Sequence, residues 1–407
     1  MRGISSFSML VYALVGALCS CVAMAQSLEQ QQSVPLGEAA LYPSIRIDYL
    51  SNDNIGLLSE NEVDGSATVV SPELVLVAEK RGLAFRADYT GEYSVGSVSA
   101  LDTTDHILDS QLSADFDSRR RARLVASFAR LHQDLGDGLT SGRGGEFDQS
   151  LELNRYFLEG AFDYGARNAR GNLTIGLRLG ATDFVNLGEV ADGRSFSLLQ
   201  PFGRFGYRLS GDTRATLELR GSSFSFDDSD RDRDVIALLL GMSFAASGQL
   251  TGSFGVGIEA VDPVASELDG TTLFAIESDV TFRPNSFAVL SLGITREVNN
   301  DGIGVIGTGG DLPVETNVRL GWEHSWSSWL SSSAFVAGRF EDETCPTVDL
   351  TTVSTGIEVN FNVRRWLQVG GSFDAASRDV DACASELDAG DLEYERQLIG
   401  AHIRATL

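Results

Sequence analysis

Residues 314–326 read Val-Glu-Thr-Asn-Val-Arg-Leu-Gly-Trp-Glu-His-Ser-Trp. The even positions are Val314, Thr316, Val318, Leu320, Trp322, His324 and Trp326. The odd positions are Glu315, Asn317, Arg319, Gly321, Glu323 and Ser325. Side chains of a strand alternate between two faces, so this is a β-strand with one greasy side and one charged or small side. Outward from it the same rhythm recurs. Leu173, Ile175, Leu177 and Leu179 alternate with Thr174, Gly176, Arg178 and Gly180. Val353, Thr355, Ile357, Val359 and Phe361 alternate with Ser354, Gly356, Glu358 and Asn360. Ile399, Ala401, Ile403, Ala405 and Leu407 stand opposite His402, Arg404 and Thr406. The segment from Asp234 to Phe244 is apolar on both faces, and its orientation stays open.

A soluble sandwich would also alternate, so the connections decide. Short turns fall at Glu79 to Gly82, Asp117 to Arg120, Gly165 to Gly171, Ser210 to Thr213, Ala246 to Gln249, Pro284 to Ser286, Ser327 to Trp329 and Asn362 to Arg365. Between them lie long loops such as Ser51 to Gly65, His132 to Gln149, Phe184 to Arg194, Asn299 to Pro313 and Arg378 to Leu392. Strict alternation of tight turns with long loops is the mark of an outer-membrane barrel. The pattern predicts an all-β, closed antiparallel transmembrane β-barrel of about eighteen strands, from Leu41 to Leu407. An even count puts both ends on the periplasmic side. The sheet must close, because an open edge in lipid would strand its N–H and C=O groups.

The chain has 407 residues and a formal net charge of -26, from 31 Lys+Arg against 57 Asp+Glu. That balance excludes a nucleic-acid binder, which needs a basic face. Frequent β-forming residues exclude an extended disordered chain. Arg2, the apolar run Met9 to Ala23 and Ala23-Met24-Ala25 predict a secretory signal peptide over residues 1–25. A periplasmic leader over 26–40 and the barrel over 41–407 then follow as one domain.

Aromatics fit two interfacial girdles. Tyr164, Tyr207, Phe282, Trp326, Trp329 and Trp366 sit beside short turns; Tyr49, Tyr93, Phe184, Phe226 and Phe340 sit near long-loop ends. The inward face carries both signs. Candidate pore-lining residues are Arg178, Arg204, Arg208, Glu218, Arg220, Glu277, Asp279, Arg283, Glu315, Arg319, Glu323, Glu358 and Arg404. They either set up a transverse field in an open lumen or pair and fill it. Inward aromatics are few, led by Phe157 and Phe202. The Gly-rich loops Gly136 to Gly145 and Gly302 to Gly310 are the candidate plugs. Long loops are acidic, most densely from Asp227 to Asp234, and read as a solvated anionic rim among lipopolysaccharide phosphates. Such a mouth favours cations by field focusing. Cys345 and Cys383 fall in neighbouring outer loops, and the exported context is oxidising, so a disulfide between them is expected. The four histidines lack metal spacing, and no nucleophile, phosphate-loop or cofactor motif points to an enzyme.

The leader Gln26 to Ala40, the strand Ser44-Ile45-Arg46-Ile47-Asp48-Tyr49 followed by Ser51-Asn52-Asp53-Asn54, the Ser71-Pro72-Glu73-Leu74 segment with its Arg81-Gly82 turn, and Tyr89-x-x-Glu92-Tyr93 resemble the putative β-barrel porin 2 family. The resemblance implies an outer-membrane channel, one that could serve exopolysaccharide export with partner proteins after insertion by the barrel-assembly machinery. A structural or adhesive barrel with a closed lumen and working acidic loops is the other reading. Leu407 stands where the usual outer-membrane ending has Phe.

Overall fold

The computed structural model describes residues 33–244, 248–264, 270–298, 314–342, 348–382 and 392–406. The expected signal peptide, the second Gly-rich loop and both Cys345 and Cys383 lie outside the described residues. A three-residue strand, β1 (Val34–Leu36), precedes eighteen long ones. These are β2 (Ala39–Asn52), β3 (Gly65–Lys80), β4 (Leu83–Gly96), β5 (Thr103–Asp115), β6 (Arg120–Gln133), β7 (Leu151–Tyr164), β8 (Gly171–Phe184), β9 (Phe196–Ser210) and β10 (Thr213–Phe226). They continue as β11 (Arg233–Phe244), β12 (Leu250–Pro263), β13 (Thr271–Asn285), β14 (Ala288–Val298), β15 (Val314–Ser325), β16 (Leu330–Asp342), β17 (Val348–Arg364), β18 (Leu367–Ala382) and β19 (Tyr394–Thr406).

Every long strand pairs antiparallel with its neighbours in sequence, and β19 pairs with β2 from Leu398↔Asn52 to Thr406↔Ser44, which closes the ring. Where β19 runs out, β1 takes its place beside β2, from Val34↔Leu41 to Leu36↔Ala39. The leader thus ends earlier than residue 40, and its tail is sheet. The physical reason is the same as for closure: the start of β2 would otherwise present an unpaired edge. Strands of 11 to 17 residues exceed the roughly 9–11 needed to cross the hydrocarbon, so their ends stand clear of it.

Alternation is borne out strand by strand. In β11, the segment that the sequence leaves unoriented, Ile236 and Leu240 are 61% and 62% exposed, whereas Val235, Ala237 and Leu239 are at most 5% exposed. Leu239 pairs with Glu218 and Leu240 with Leu217, which fixes the first as lumen-facing and the second as lipid-facing. Lipid covers the outer band of half-exposed Leu, Ile, Val and Phe. Near the short turns Tyr164, Tyr207, Trp326, Trp329 and Trp366 are exposed, and His324 stacks on Trp322 and packs tilted against Trp326. At the other interface Tyr49, Tyr93 and Phe340 are exposed. Phe184 and Phe226 are not part of that girdle. Phe226 packs inward with Phe196 and Phe224, and Phe184 packs against the Leu139 cluster, because their register puts them on the lumen side.

Candidate functional site

The first Gly-rich loop, residues 134–150 between β6 and β7, folds inward. Its backbone is locked by short-range bonds that its own sequence supplies. The Asp137 carboxylate accepts from the Gly138 N–H at 2.9 Å, and Thr140 Oγ1 accepts from the Gly136 N–H at 3.0 Å while donating to the Asp137 carbonyl. Leu139 and Leu151 are fully buried with Val190 and Ala191 of the loop between β8 and β9, and Phe147, Phe184 and Leu187 pack around them. Gly136 has φ +75, and a Cβ there would lie 2.0 Å from the Gly56 carbonyl oxygen of the loop between β2 and β3. A Cβ at Gly144 would lie 2.1 Å from the same oxygen. Only glycine allows this contact between the two backbones. Gly136→Ala should therefore unseat the loop without touching the barrel, and limited trypsin digestion should cut after Arg143 several-fold faster than in the parent.

The far side of the loop is held by arginines. Strands β2 to β5 stand between β6 and β19 around the ring, so the loop spans their arc on the lumen side. Arg378 of β18, 5% exposed, donates from Nη1 to Ser141 Oγ at 2.7 Å and from Nε to Thr352 Oγ1 at 3.2 Å. Its Nη2 lies 3.7 Å from Asp137 Oδ1, and its guanidinium sits 4.8 Å from the centre of the Tyr394 ring. Arg396 of β19 reaches Asp134 at 3.4 Å. The loop from 53 to 64 braces the seam: Asn54, wholly buried, donates to the carbonyls of Leu58 and Glu395 at 2.7 and 2.9 Å. Arg378 lies inside β18, where the sequence pattern starts the loop from Arg378 to Leu392, and nothing in the sequence shows that a loop from β6 and β7 meets Arg378 and Arg396.

The thirteen candidate pore-lining residues all occupy inward register positions. Most are paired. Glu159 accepts from Arg123 at 2.6 Å and from Arg178 Nε at 2.7 Å; Arg178 also donates to Gln200 at 2.8 Å and lies over the Phe202 ring at 4.6 Å. Gly176 lies beneath that ring, where a Cβ would come 2.4 Å from Phe202. Glu218 pairs with Arg204 at 2.5 Å, and Arg220 bridges from β10 to Glu277 on β13. Glu315 pairs with Arg339 at 3.0 Å, Glu358 lies 3.8 Å from both Arg46 and His402, and Arg404 bonds Glu73. Arg319 lies 3.9 Å over the Phe335 ring. Arg208 sits low, donating to the Asn168 and Gly211 carbonyls. Arg283, Asp279 and Glu323 also stand in the lower half of their strands. Inward aromatics are more numerous than Phe157 and Phe202: Phe196, Phe224, Phe226, Phe335 and Tyr394 join them, mostly as platforms for arginine.

The signs are segregated around the wall. Inward positions of β6–β10 hold Arg121, Arg123, Arg155, Arg178, Arg204, Arg208, Arg214 and Arg220 against Glu159, Asp163 and Glu218. Those of β12–β16 hold Glu259, Glu277, Asp279, Glu297, Glu315, Glu323 and Glu341 against Arg283, Arg319 and Arg339. Glu297, Glu315 and Glu341 are direct cross-strand neighbours. Among the described residues, no cluster of His, Cys, Asp and Glu is arranged to hold a metal ion.

Family comparison agrees with this architecture: the model for "putative beta-barrel porin 2" matches residues 30–405, nearly the whole chain. The chain belongs to that family. It is therefore a porin-like channel protein of the outer membrane. Solved structures with a similar trace include OccK2 (OpdF) of Pseudomonas aeruginosa in complex with glucuronate, 13% identical over 92% of this chain and 98% of that chain, TM-score 0.47. A BenF-like porin from Pseudomonas fluorescens Pf-5 is 12% identical over 91% and 100%, TM-score 0.47. The siderophore receptor PirA from Acinetobacter baumannii is 10% identical over 90% and 80%, TM-score 0.43. No curated protein matches the chain.

Proposed function

We propose that this porin is a diffusion channel for small, charged, water-soluble solutes, with its bore narrowed by the loop over residues 134–150. The observation that carries this reading is the loop's attachment to Arg378 and Arg396 on the lumen side, beside a wall whose charged side chains form ion pairs. Pairing and field are not alternatives here. The pairs satisfy individual charges, while the excess of arginine on β6–β10 and of carboxylate on β12–β16 leaves a transverse field. Charged solutes orient in such a field, and neutral or apolar ones gain nothing from it.

Export of an exopolysaccharide is the finer reading that the family suggests. A polymer strand would need the contacts of Asp134 and Asp137 to open, which makes a partner-driven step part of that reading. The reading of a closed barrel with working acidic loops is favoured by the same loop if it seals the bore completely. Outer-membrane lipid, lipopolysaccharide around the acidic rim and the barrel-assembly machinery are the partners proposed, and catalysis is not.

The test is conductance of the refolded protein in a planar bilayer under a salt gradient. Stable steps with a cation-selective reversal potential support the diffusion channel. Silence from folded protein supports the closed or partner-gated readings. In the open case, Asp279→Asn with Glu323→Gln should move the reversal potential toward zero. Glu315, named with them from the sequence, is the poorer choice, because removing it strips Arg339 of a partner.

A further inference from the structure

The two ends of the barrel carry opposite charge. In the described residues of the long loops, sixteen carboxylates face three arginines. The loop from 53 to 64 has four carboxylates and no base, and residues 227–232 have four carboxylates and Arg231. The short turns reverse this: Arg81, Arg119, Arg167, Arg170 and Arg365 face Glu38, Asp117 and Asp212. Just inside the same end, three inward arginines bond neutral oxygens, and one of them, Arg208, also lies 3.7 Å from Asp212. Arg121 donates to the Gly165 carbonyl at 3.2 Å, Arg208 to the Asn168 carbonyl at 3.0 Å, and Arg214 to the Arg167 carbonyl at 2.6 Å and to Asn172 Oδ1 at 2.9 Å. A carbonyl fixes a guanidinium without cancelling its charge. In a chain with a net charge of -26, this basic end is a local inversion.

From this axial separation we infer that the channel rectifies, passing ions more readily when the long-loop side is positive. The inference rests on the diffusion-channel reading and goes beyond it. An acidic mouth fills with cations and a basic mouth fills with anions. With the long-loop side positive, cations move in from the acidic end and anions move in from the basic end, so both collect in the middle of the bore and carry current. With the polarity reversed, each is drawn out through its own mouth, the middle is depleted, and current falls. The effect requires the screening length to be comparable with the bore. It should therefore be marked at about 0.1 M salt, where that length is about 10 Å, and vanish at about 1 M, where it is about 3 Å.

The experiment is current against voltage for single insertions in potassium chloride. A ratio of roughly two between polarities is expected at about 0.1 M, falling to about one at 1 M. Orientation is read by acidifying one chamber to about pH 3.5, which protonates most ordinary carboxylates and no arginine. The ratio should fall only when the long-loop side is acidified. At the other end Asp117 resists, since the Arg119 N–H and the Arg120 side chain hold its carboxyl below the usual range. The triple variant Arg119→Glu, Arg167→Glu, Arg170→Glu lies on exposed turn positions and makes both ends acidic, so its currents should be symmetric and more cation-selective. Equal currents in the parent at low salt, or rectification unchanged in the triple variant, overturn the inference while leaving the channel standing. Folded protein that passes no current overturns the channel reading and the inference with it.

Discussion

Arg378→Ala should raise single-channel conductance by roughly one and a half to threefold, with added flicker between sub-levels, because bore width and its charges set conduction. The Arg378 side chain is buried and makes the principal polar attachment of the loop's far side, through Ser141 and Asp137. Hydrogen bonds from a charged donor contribute about 1.5–3 kcal/mol, and Arg396 with Asp134 adds a weaker, more exposed contact. Removing Arg378 leaves the loop held by the Leu139 cluster at its near side and by the weaker Arg396 contact at its far side. Arg378→Lys should recover part of the effect, since an ammonium reaches one oxygen but cannot serve Ser141 and Thr352 at once. Unchanged conductance in both variants would show that the loop does not narrow the bore. The barrel itself should remain as heat-resistant as the parent, because neither β18 nor its pairing with β17 and β19 depends on that side chain.

Glu159→Leu should destabilise the barrel by about 3–5 kcal/mol, the range for stripping a buried ion cluster of its shared partner. Glu159 is 5% exposed and accepts from two arginines, Arg123 on β6 and Arg178 on β8. With leucine there, two guanidiniums face each other across β7 with no carboxylate between them. The urea midpoint in lipid vesicles, read from the heat-modifiable gel shift, should fall clearly. Lys80→Ala serves as the contrast. Its partner Glu38 and its own side chain are 71% and 68% exposed, and an exposed pair of that kind contributes about 0–1 kcal/mol. A midpoint for Glu159→Leu indistinguishable from that of Lys80→Ala would mean that water fills the site and screens the arginines.

Most of the architecture was legible because a membrane strand obeys a period of two with little interference. One face meets lipid along its whole length, so Ile399, Ala401 and Ile403 cannot trade places with His402 and Arg404. Turn and loop lengths alternate for a related reason: hairpins on one side need only close, while the outer loops are free to grow. β11 was not legible, because both its faces are apolar and period two then carries no sign. Phe184 and Phe226 fall at girdle depth but on the inward face, each an even number of residues from an inward arginine, Arg178 and Arg220, because depth along a strand does not by itself give facing.

The sequence by itself determined the strand count, the sidedness of the connections, the inward position of the charged residues and the acidic character of the loops. Those follow from local alternation and from counting, which need no distant contact. Only the tertiary structure decided that residues 134–150 fold inward, that Arg378 and Arg396 receive them, and that Arg220 finds Glu277 three strands away. Each of these joins residues far apart in the chain or beyond its nearest strand. Such contacts exist only after the sheet has closed into a ring, because closure alone brings β18 and β19 around to the arc that the loop from β6 spans.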